Sequence, residues 1–254
     1  MMRLLPLLFC LVAMPAQASD AARALLDDGA YEQARSNALA ADTVDGLNIA
    51  AETMAAEIML MRVDDAKDHA RDAIRIAEEA LDRDPDNVQA LFLRALHTGF
   101  RTRSSSPLGI VMGGWIGKTM DAIEAFENAA PGDPRGDALR GAWHLGIVRA
   151  AGDGRFGASL EEGLARYDAA VAARPDDIVV MGNYAFSLIV MDDPALLPRA
   201  RTLLAQIEAT DPRDATEAET RDRMLRLSDV IDDPDALRER AQGLLNTEEP
   251  QAGQ

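Results

Sequence analysis

Apolar and polar residues alternate with a helical period along most of the chain. In residues 120–134, Ala122, Phe126 and Ala129 fall on one helical face, and Pro134 follows five residues later. Small side chains on such a face let a neighbouring helix approach closely, whereas a proline ends the helix and starts a turn. This stretch therefore predicts a closely packed helix that stops at a defined corner.

The same order of positions recurs three more times along the chain. The copies are Ala73, Ala77, Ala80 and Pro85; Gly163, Tyr167, Ala170 and Pro175; and Ala200, Leu204, Ile207 and Pro212. Self-similarity of this kind is typical of stacked repeat proteins. On these residues, the chain resembles the tetratricopeptide-repeat superfamily over about residues 20–246.

The resemblance implies an all-α fold, a tetratricopeptide-like solenoid of about five to six helical hairpins. Successive prolines of the pattern are 49, 41 and 37 residues apart. These intervals exceed the family period of about 34 residues. We therefore expect the extra residues to be inserted between the two helices of a pair.

The periodicity predicts a first hairpin followed by ten helices and two inserts. The hairpin spans 20–41, and the helices span 47–61, 65–83, 88–100, 137–150, 159–174, 178–191, 195–210, 215–231 and 234–246, besides the helix of 120–134. Asp193-Pro194 and Asp233-Pro234 each resemble a helix N-cap followed by a first-turn proline. The inserts, 101–119 and 151–159, lie at hairpin tips and should share one end of the molecule; the first is the least helix-like segment.

Residues 1–18 have the features of a secretory signal peptide. Arg3 precedes an apolar run of 11 residues, Leu4–Met14, and Ala16-Gln17-Ala18 forms a small-x-small cleavage site. That run is too short to cross about 30 Å of hydrocarbon, so we expect no stable membrane span. Cleavage after Ala18 would remove Cys10, the only cysteine, and the short leader favours a bacterial periplasm.

Charge and composition restrict the partners of the mature chain. The sequence has 26 basic and 43 acidic residues, a formal net charge of −17. Such a surface would repel nucleic acid, so we expect no nucleic-acid partner. Residues 19–246 form the predicted repeat domain, and residues 247–254 a disordered tail.

The sequence has no convincing catalytic or metal-binding motif. His69, His97 and His144 show no metal-ligand spacing, although His97 and His144 fall on adjacent first helices and leave a loose two-histidine site open. Residues 82–87 imitate a calcium loop but lack its glycine, and residues 113–119 imitate a phosphate loop with the wrong glycine spacing. We therefore predict a protein that is not an enzyme and needs no cofactor or metal.

The resemblance implies that the first helix of each pair lines a concave face. The candidate groove residues are Phe92, Leu96, Trp115, Trp143, His144, Leu145, Val148, Phe186 and Ile189. Candidate contacts for an anion near the inserts are Arg101, Arg103, Arg149 and Arg155. Either this groove is open to an apolar ligand or a partner helix, or the superhelix closes and side chains fill it.

Two functional hypotheses follow. The first is an exported scaffold that holds another protein of the cell envelope. The second is a periplasmic helper that holds an apolar small ligand, because the size, export signal and apolar inner face are similar to those of the T-component of tripartite ATP-independent periplasmic transporters. An open inner cavity would favour the helper, and a filled one the scaffold.

Overall fold

The described part of the chain, residues 15–246 of a computed structural model, is helical and contains no β-strand. Its thirteen α-helices are α1 (Pro15–Asp27), α2 (Tyr31–Ala40), α3 (Val44–Met59), α4 (Ala66–Arg83), α5 (Val88–Arg103), α6 (Pro107–Gly113), α7 (Trp115–Ala129), α8 (Pro134–Ala151), α9 (Leu160–Ala173), α10 (Ile178–Ile189), α11 (Leu197–Ala209), α12 (Ala215–Ser228) and α13 (Pro234–Asn246). A short 3₁₀ helix covers Arg155–Gly157. The prediction of an all-α chain is confirmed.

Two predicted segments lie mainly outside this range. Residues 15–18 of the predicted signal peptide form the first turn of α1, and the remainder, 1–14, is outside the described residues. The predicted tail, 247–254, is outside them as well. From residue 15 to residue 246, every helix is too short or too polar to cross a lipid bilayer.

Side-chain caps fix many of the helix starts. In six helices, the residue before the first turn accepts a hydrogen bond from the backbone N–H three positions on. These caps are Thr43, Asp65, Asn87, Ser159, Asp177 and Asp214. Polar residues at the corners of the apolar pattern therefore define where helices begin.

Most consecutive helices pack against each other along residues 15–246, both inside and between the predicted hairpins; we call this set of helices the array and divide it into six pairs in chain order. The pairs are α1 with α2, α3 with α4, α5 with α7, α8 with α9, α10 with α11 and α12 with α13, and α6 is an additional helix on α7. The first helix of each pair also contacts the first helix of the next pair. The pattern prolines Pro85, Pro134, Pro175 and Pro212 all fall at the junction between one pair and the next.

Most residues of the repeated pattern are buried at helix contacts. Phe126 and Tyr167 are both buried, as are the small residues at the first position of each copy. An added Cβ on Gly163 would lie 2.7 Å from Leu145 Cδ2, so α8 and α9 approach closely there. Ala129 is exposed instead, because α7 ends at this residue.

The expectation of an irregular first insert over 101–119 is wrong. The chain is helical there except around Ser104–Ser106 and at Gly114, whose φ of 63° separates α6 from α7. Serine and threonine weaken a helix when their hydroxyls compete with the backbone. In this segment Thr102 and Thr119 each donate to a carbonyl four residues earlier, and their oxygens are 2.9 Å apart, whereas the buried Ser104 hydroxyl has no hydrogen-bond partner.

The two predicted Asp-Pro caps have different outcomes. Asp233 accepts hydrogen bonds from the two backbone N–H groups at 235 and 236, and α13 begins at Pro234 as predicted. Asp193 caps only a turn, because α11 begins at Leu197, four residues after Asp193. Pro198 explains the shift: it fits the first turn of α11 but would remove a backbone hydrogen bond farther inside a helix.

Helix α12, near the end of the chain, contacts helices from the beginning of the chain. The Tyr31 hydroxyl donates to Glu219 at 3.3 Å, and Arg62 forms an ion pair with the same carboxylate at 2.6 Å. Arg223 donates to the carbonyl of Met59 at the end of α3. Helix α12 therefore closes the array against α1, the start of α2 and the end of α3.

Candidate functional site

Large apolar side chains are exposed mainly on the two inserts. Leu108 and Met112 of α6 are 69% and 79% exposed, and Phe156 of the second insert is 61% exposed. The fourth exposed large apolar residue in the described range is Leu39 of α2, at 43%. We call the set of Leu108, Met112 and Phe156 the insert face.

The two inserts lie at the same end of the molecule, as the hairpin-tip positions predict. Ile116, at the start of α7, and Ala158, two residues after Phe156, pack in one apolar cluster with Val148. The indole Nε1 of Trp143 donates to the carbonyl of Ile116 at 3.3 Å. The beginning of α7 is therefore held against α8 and the end of the second insert.

A serine hydrogen bond and a left-handed glycine define the two ends of α6. The Ser106 hydroxyl accepts a hydrogen bond from the Gly109 backbone N–H at 3.2 Å, which satisfies one of the free N–H groups of the first turn. Gly114 adopts the left-handed conformation that glycine tolerates best, and α7 follows at once. Helix α6 packs on α7 and presents Leu108 and Met112 to solvent.

A charged cleft lies between α4, α5 and α7, and its Trp115 is two residues after the end of α6. Arg101 of α5 and Lys118 of α7 both lie on the Trp115 ring, with the guanidinium carbon 4.1 Å and the amine nitrogen 4.5 Å from its centroid. The opposite wall comes from α4 and consists of Arg71, Asp72, Ile74, Arg75 and Glu78. This opening, which we call the tryptophan cleft, has a volume of about 610 Å³.

The candidate groove residues do not form one continuous surface. Leu145, Val148 and Ile189 are buried at 1%, 8% and 5% exposure. Their side chains pack in apolar clusters with neighbouring helices. These three residues are therefore unavailable to a ligand unless the packing opens.

The candidate groove residues of α5, Phe92 and Leu96, make separate contacts. Phe92 packs against Phe126 with ring centroids 5.5 Å apart, and the Arg135 guanidinium lies over both rings. Leu96 packs with the cluster around Phe100. Both Phe92 and Leu96 are half-buried.

Among the candidate groove residues, Phe186 lines a small cavity between helices, which we call the central cavity. It lines a cavity of about 40 Å³ together with Met59, Arg103, Asn183 and Arg223. That volume is enough for a few water molecules. The walls of this cavity come from α3, α5, α10, α12 and α13 and from Met61 after α3.

The four arginines predicted to contact an anion are not brought together. Arg101 lies in the tryptophan cleft, whereas Arg103 lines the central cavity and lies over the Phe100 ring. Arg149 and Arg155 are exposed near the second insert. Sequence reasoning missed Arg71, Arg75 and Lys118, because their proximity depends on the packing of α4 beside α7.

The histidines serve the packing in this structure. His144 is buried, burial lowers its pKa, and its Nδ1 accepts a hydrogen bond from the Ser159 backbone N–H at 3.1 Å. The His97 ring is fully buried and its Nε2 donates to the carbonyl of Ala51 at 2.8 Å. Over residues 15–246, no group of three or more histidine, cysteine, aspartate or glutamate side chains is arranged to hold a metal ion.

No protein-family model, curated protein or solved structure matches the chain. The functional argument therefore depends on the residues and geometry of the chain itself.

Proposed function

We propose that this protein is an exported, non-catalytic scaffold with a tetratricopeptide-like solenoid, which holds another protein of the cell envelope. Six packed helix pairs, the repeated small-residue face and prolines between pairs support the repeat architecture. The signal peptide predicted at residues 1–18 supports the periplasmic location. The insert face is the observation that carries the interaction role.

Removal of apolar surface from water is favourable, so a group of exposed large apolar side chains indicates a surface that a partner could cover. Among the described residues, four large apolar side chains are exposed, and three of the four belong to the insert face. Leu108 and Met112 are one helical turn apart on α6, and contiguous apolar exposure marks protein interaction surfaces, whereas scattered single residues need no explanation. The insert face is therefore the proposed docking surface.

The charge near this face restricts the partner. Residues 101–119 include no acidic residue, and Arg101 and Lys118 lie on Trp115, two residues after the end of α6, on a chain with a net charge of −17. Complementary charge steers association and disfavours wrong partners. The partner surface that fits best is apolar at its centre and acidic at its edge.

The alternative helper function has weaker support. Pockets for small apolar ligands usually have volumes of about 300–1,000 Å³. The central cavity beside Phe186 has only about 40 Å³ and includes two arginines, Arg103 and Arg223. A T-component-like apolar ligand would require the array to open.

The proposal is tested by comparing two sets of substitutions in the full-length protein. The double variant Leu108→Ser/Met112→Ser removes two apolar side chains of the insert face. The control Leu39→Ser removes an exposed leucine on α2. After chemical cross-linking and affinity capture from envelope extract, we expect a specific protein with the natural chain and the control, and loss of it with the double variant.

Equal recovery by all three forms would contradict the docking surface. Failure of the natural chain to recover any protein above the level of an unrelated tagged protein would contradict the scaffold function itself.

The export part of the proposal has a separate measurement. Intact-mass analysis of the chain from a periplasmic fraction should give a mature protein that begins at Ser19. A full-length chain confined to the cytosolic fraction would contradict it.

A further inference from the structure

The tryptophan cleft contains more positive charge than its surroundings can balance. Arg71 is 2.6 Å from Asp68, and Arg75 makes only a long contact of 3.8 Å with Asp72. Counting Arg101 and Lys118, the lining residues comprise four cations and two carboxylates. The lining residues therefore have a net charge of +2, which becomes +1 when Asp68 is counted, on a chain of net charge −17.

Arg101 and Lys118 are the two cations of the cleft that have no carboxylate partner within residues 15–246. Both instead lie over the Trp115 ring, and the Nε of Arg101 is buried without a hydrogen-bond acceptor. Because both distances are measured to the same centroid, the two cations are at most about 9 Å apart. An anion bound between them would relieve their mutual repulsion and supply the missing acceptors.

The shape of the cleft favours a peptide over a small ion. It is open, has a volume of about 610 Å³, and combines the apolar side chains of Ile74 and Trp115 with separated cations. Arg75 is 78% exposed, so a single small anion there would be screened by water and salt. A peptide segment brings several carboxylates at once and also an apolar side chain for Ile74 and Trp115.

We infer that the tryptophan cleft binds an acidic peptide segment of the partner protein, with glutamate or aspartate carboxylates at Arg101, Lys118 and Arg75. This inference rests on the proposed scaffold function, because Trp115 of the cleft is two residues after the end of α6, which carries the insert face. The apolar contact and the acidic segment are then two parts of one docking surface. Both belong to the partner, and each can be removed separately.

The test measures binding of a labelled ten-residue peptide, made of glutamates with two leucines, to the full-length protein by fluorescence anisotropy. The double variant Lys118→Gln/Arg75→Gln removes two exposed charges of the cleft. The control Lys67→Gln removes an exposed charge on α4 outside the cleft. We expect the affinity to fall at least tenfold in the double variant, to stay unchanged in the control, and to weaken with added salt.

Three results would overturn the inference. They are no binding of the acidic peptide, equal binding of the same peptide with glutamine in place of glutamate, and equal binding by the double variant. Displacement of the peptide by tripolyphosphate at a lower concentration than by unlabelled peptide would assign the cleft to a small polyanion instead.

The inference and the proposed function fail differently. If the cleft double variant still recovers the cross-linked partner as well as the natural chain does, the acidic-segment inference fails and the scaffold function stands. If the natural chain recovers no partner, the scaffold function fails, and peptide binding alone would not restore it.

Discussion

His97 lies in the contact between α3 and α5 with its ring fully buried. A carbonyl can only accept a hydrogen bond, so the ring nitrogen that faces Ala51 O carries the proton in the neutral form. The other nitrogen, Nδ1, has no hydrogen-bond partner. Protonation would place a charge at this buried atom, and burial accordingly lowers the pKa of His97 to about 4.

This arrangement predicts a loss of stability in mild acid. The unfolded chain binds a proton with a pKa of about 6.5, whereas the folded chain does so near 4. Stability is therefore complete above about pH 6.5 and falls as the pH approaches 4, by about 2 kcal/mol at pH 5 and about 3 kcal/mol below pH 4. Urea unfolding at pH 7 and pH 5 measures the change.

The variant His97→Gln separates this effect from the titration of the many carboxylates. Its amide N–H can keep the hydrogen bond to Ala51 O, but it does not titrate. We expect the natural chain to lose about 2 kcal/mol more than His97→Gln between pH 7 and pH 5. Equal losses in the two proteins would show that His97 is accessible to protons in the folded state.

At the residue scale, the sequence predicts burial better than it predicts what a buried face contacts. Phe126 and Tyr167 were identified from helical spacing alone, and both are buried. The same spacing cannot distinguish Leu145, which packs between helices, from Phe186, which lines the central cavity. That difference depends on how neighbouring helices cross, and single-helix periodicity does not contain this information.

At the scale of elements, two glycines of α8 have opposite surroundings. A Cβ on Gly141 would lie 2.7 Å from Tyr167 Cδ2 and 3.1 Å from the backbone nitrogen of the same residue. A Cβ on Gly146 would meet nothing within 4 Å. The close packing of α8 on α9 thus requires a missing side chain at only one of the two positions.

Alanine substitution at the two positions should therefore change stability in opposite directions. Gly141→Ala should destabilise the protein by about 1–3 kcal/mol, because the backbone of α9 has to move. Gly146→Ala should stabilise it by up to about 1 kcal/mol, because alanine favours the helix and nothing obstructs it. Thermal or urea unfolding measures both, and a stabilising Gly141→Ala would contradict the close approach of α8 and α9.

The elements of the fold were largely predictable, and the principal exception has a physical explanation. Helix boundaries such as 66–83 and 160–173 follow from apolar periodicity and capping residues. Helix α6 was missed because glycine and serine around it have low helix propensity. Tertiary packing on α7 and the cap from Ser106 offset that weakness.

At the scale of the whole molecule, the contact between the first and last helix pairs should link the stabilities of the two ends of the chain. Tyr31 and Glu219 are 188 positions apart and still share a hydrogen bond. An open stack of repeats has two free ends that fray first. Here α1 and α12 contact each other, so a change in one terminal pair should affect the other.

The sequence pattern allows closure as one of two alternatives but does not select it. Each helical repeat specifies contacts with its immediate neighbours, whereas the small rotation between repeats accumulates over the whole array. Whether α12 reaches α1 depends on that sum. The open-groove and filled-groove alternatives therefore could not be distinguished from periodicity, and neither could the arrangement that surrounds Phe186.

Closure can be tested at Gly29, in the connection between α1 and α2. Its φ is +78°, and an added Cβ would lie 2.9 Å from Ala215 Cβ in α12. Gly132, between α7 and α8, has a similar φ of +82° but no atom within 4 Å of the added Cβ. Both alanine variants carry the backbone strain of about 1–2 kcal/mol, and only Gly29→Ala also disturbs the closure.

We therefore expect Gly29→Ala to lose about 1–3 kcal/mol more stability than Gly132→Ala in urea unfolding. Native-state hydrogen exchange should show faster exchange across 215–228 in Gly29→Ala, because loosening the contact with α1 exposes α12 to opening. Gly132→Ala should leave exchange in that helix unchanged, since its strain lies outside the closure. Equal losses in the two variants, with α12 unaffected in both, would mean that the first and last pairs do not stabilise each other in solution, and the array would then behave as an open solenoid with an accessible inner groove.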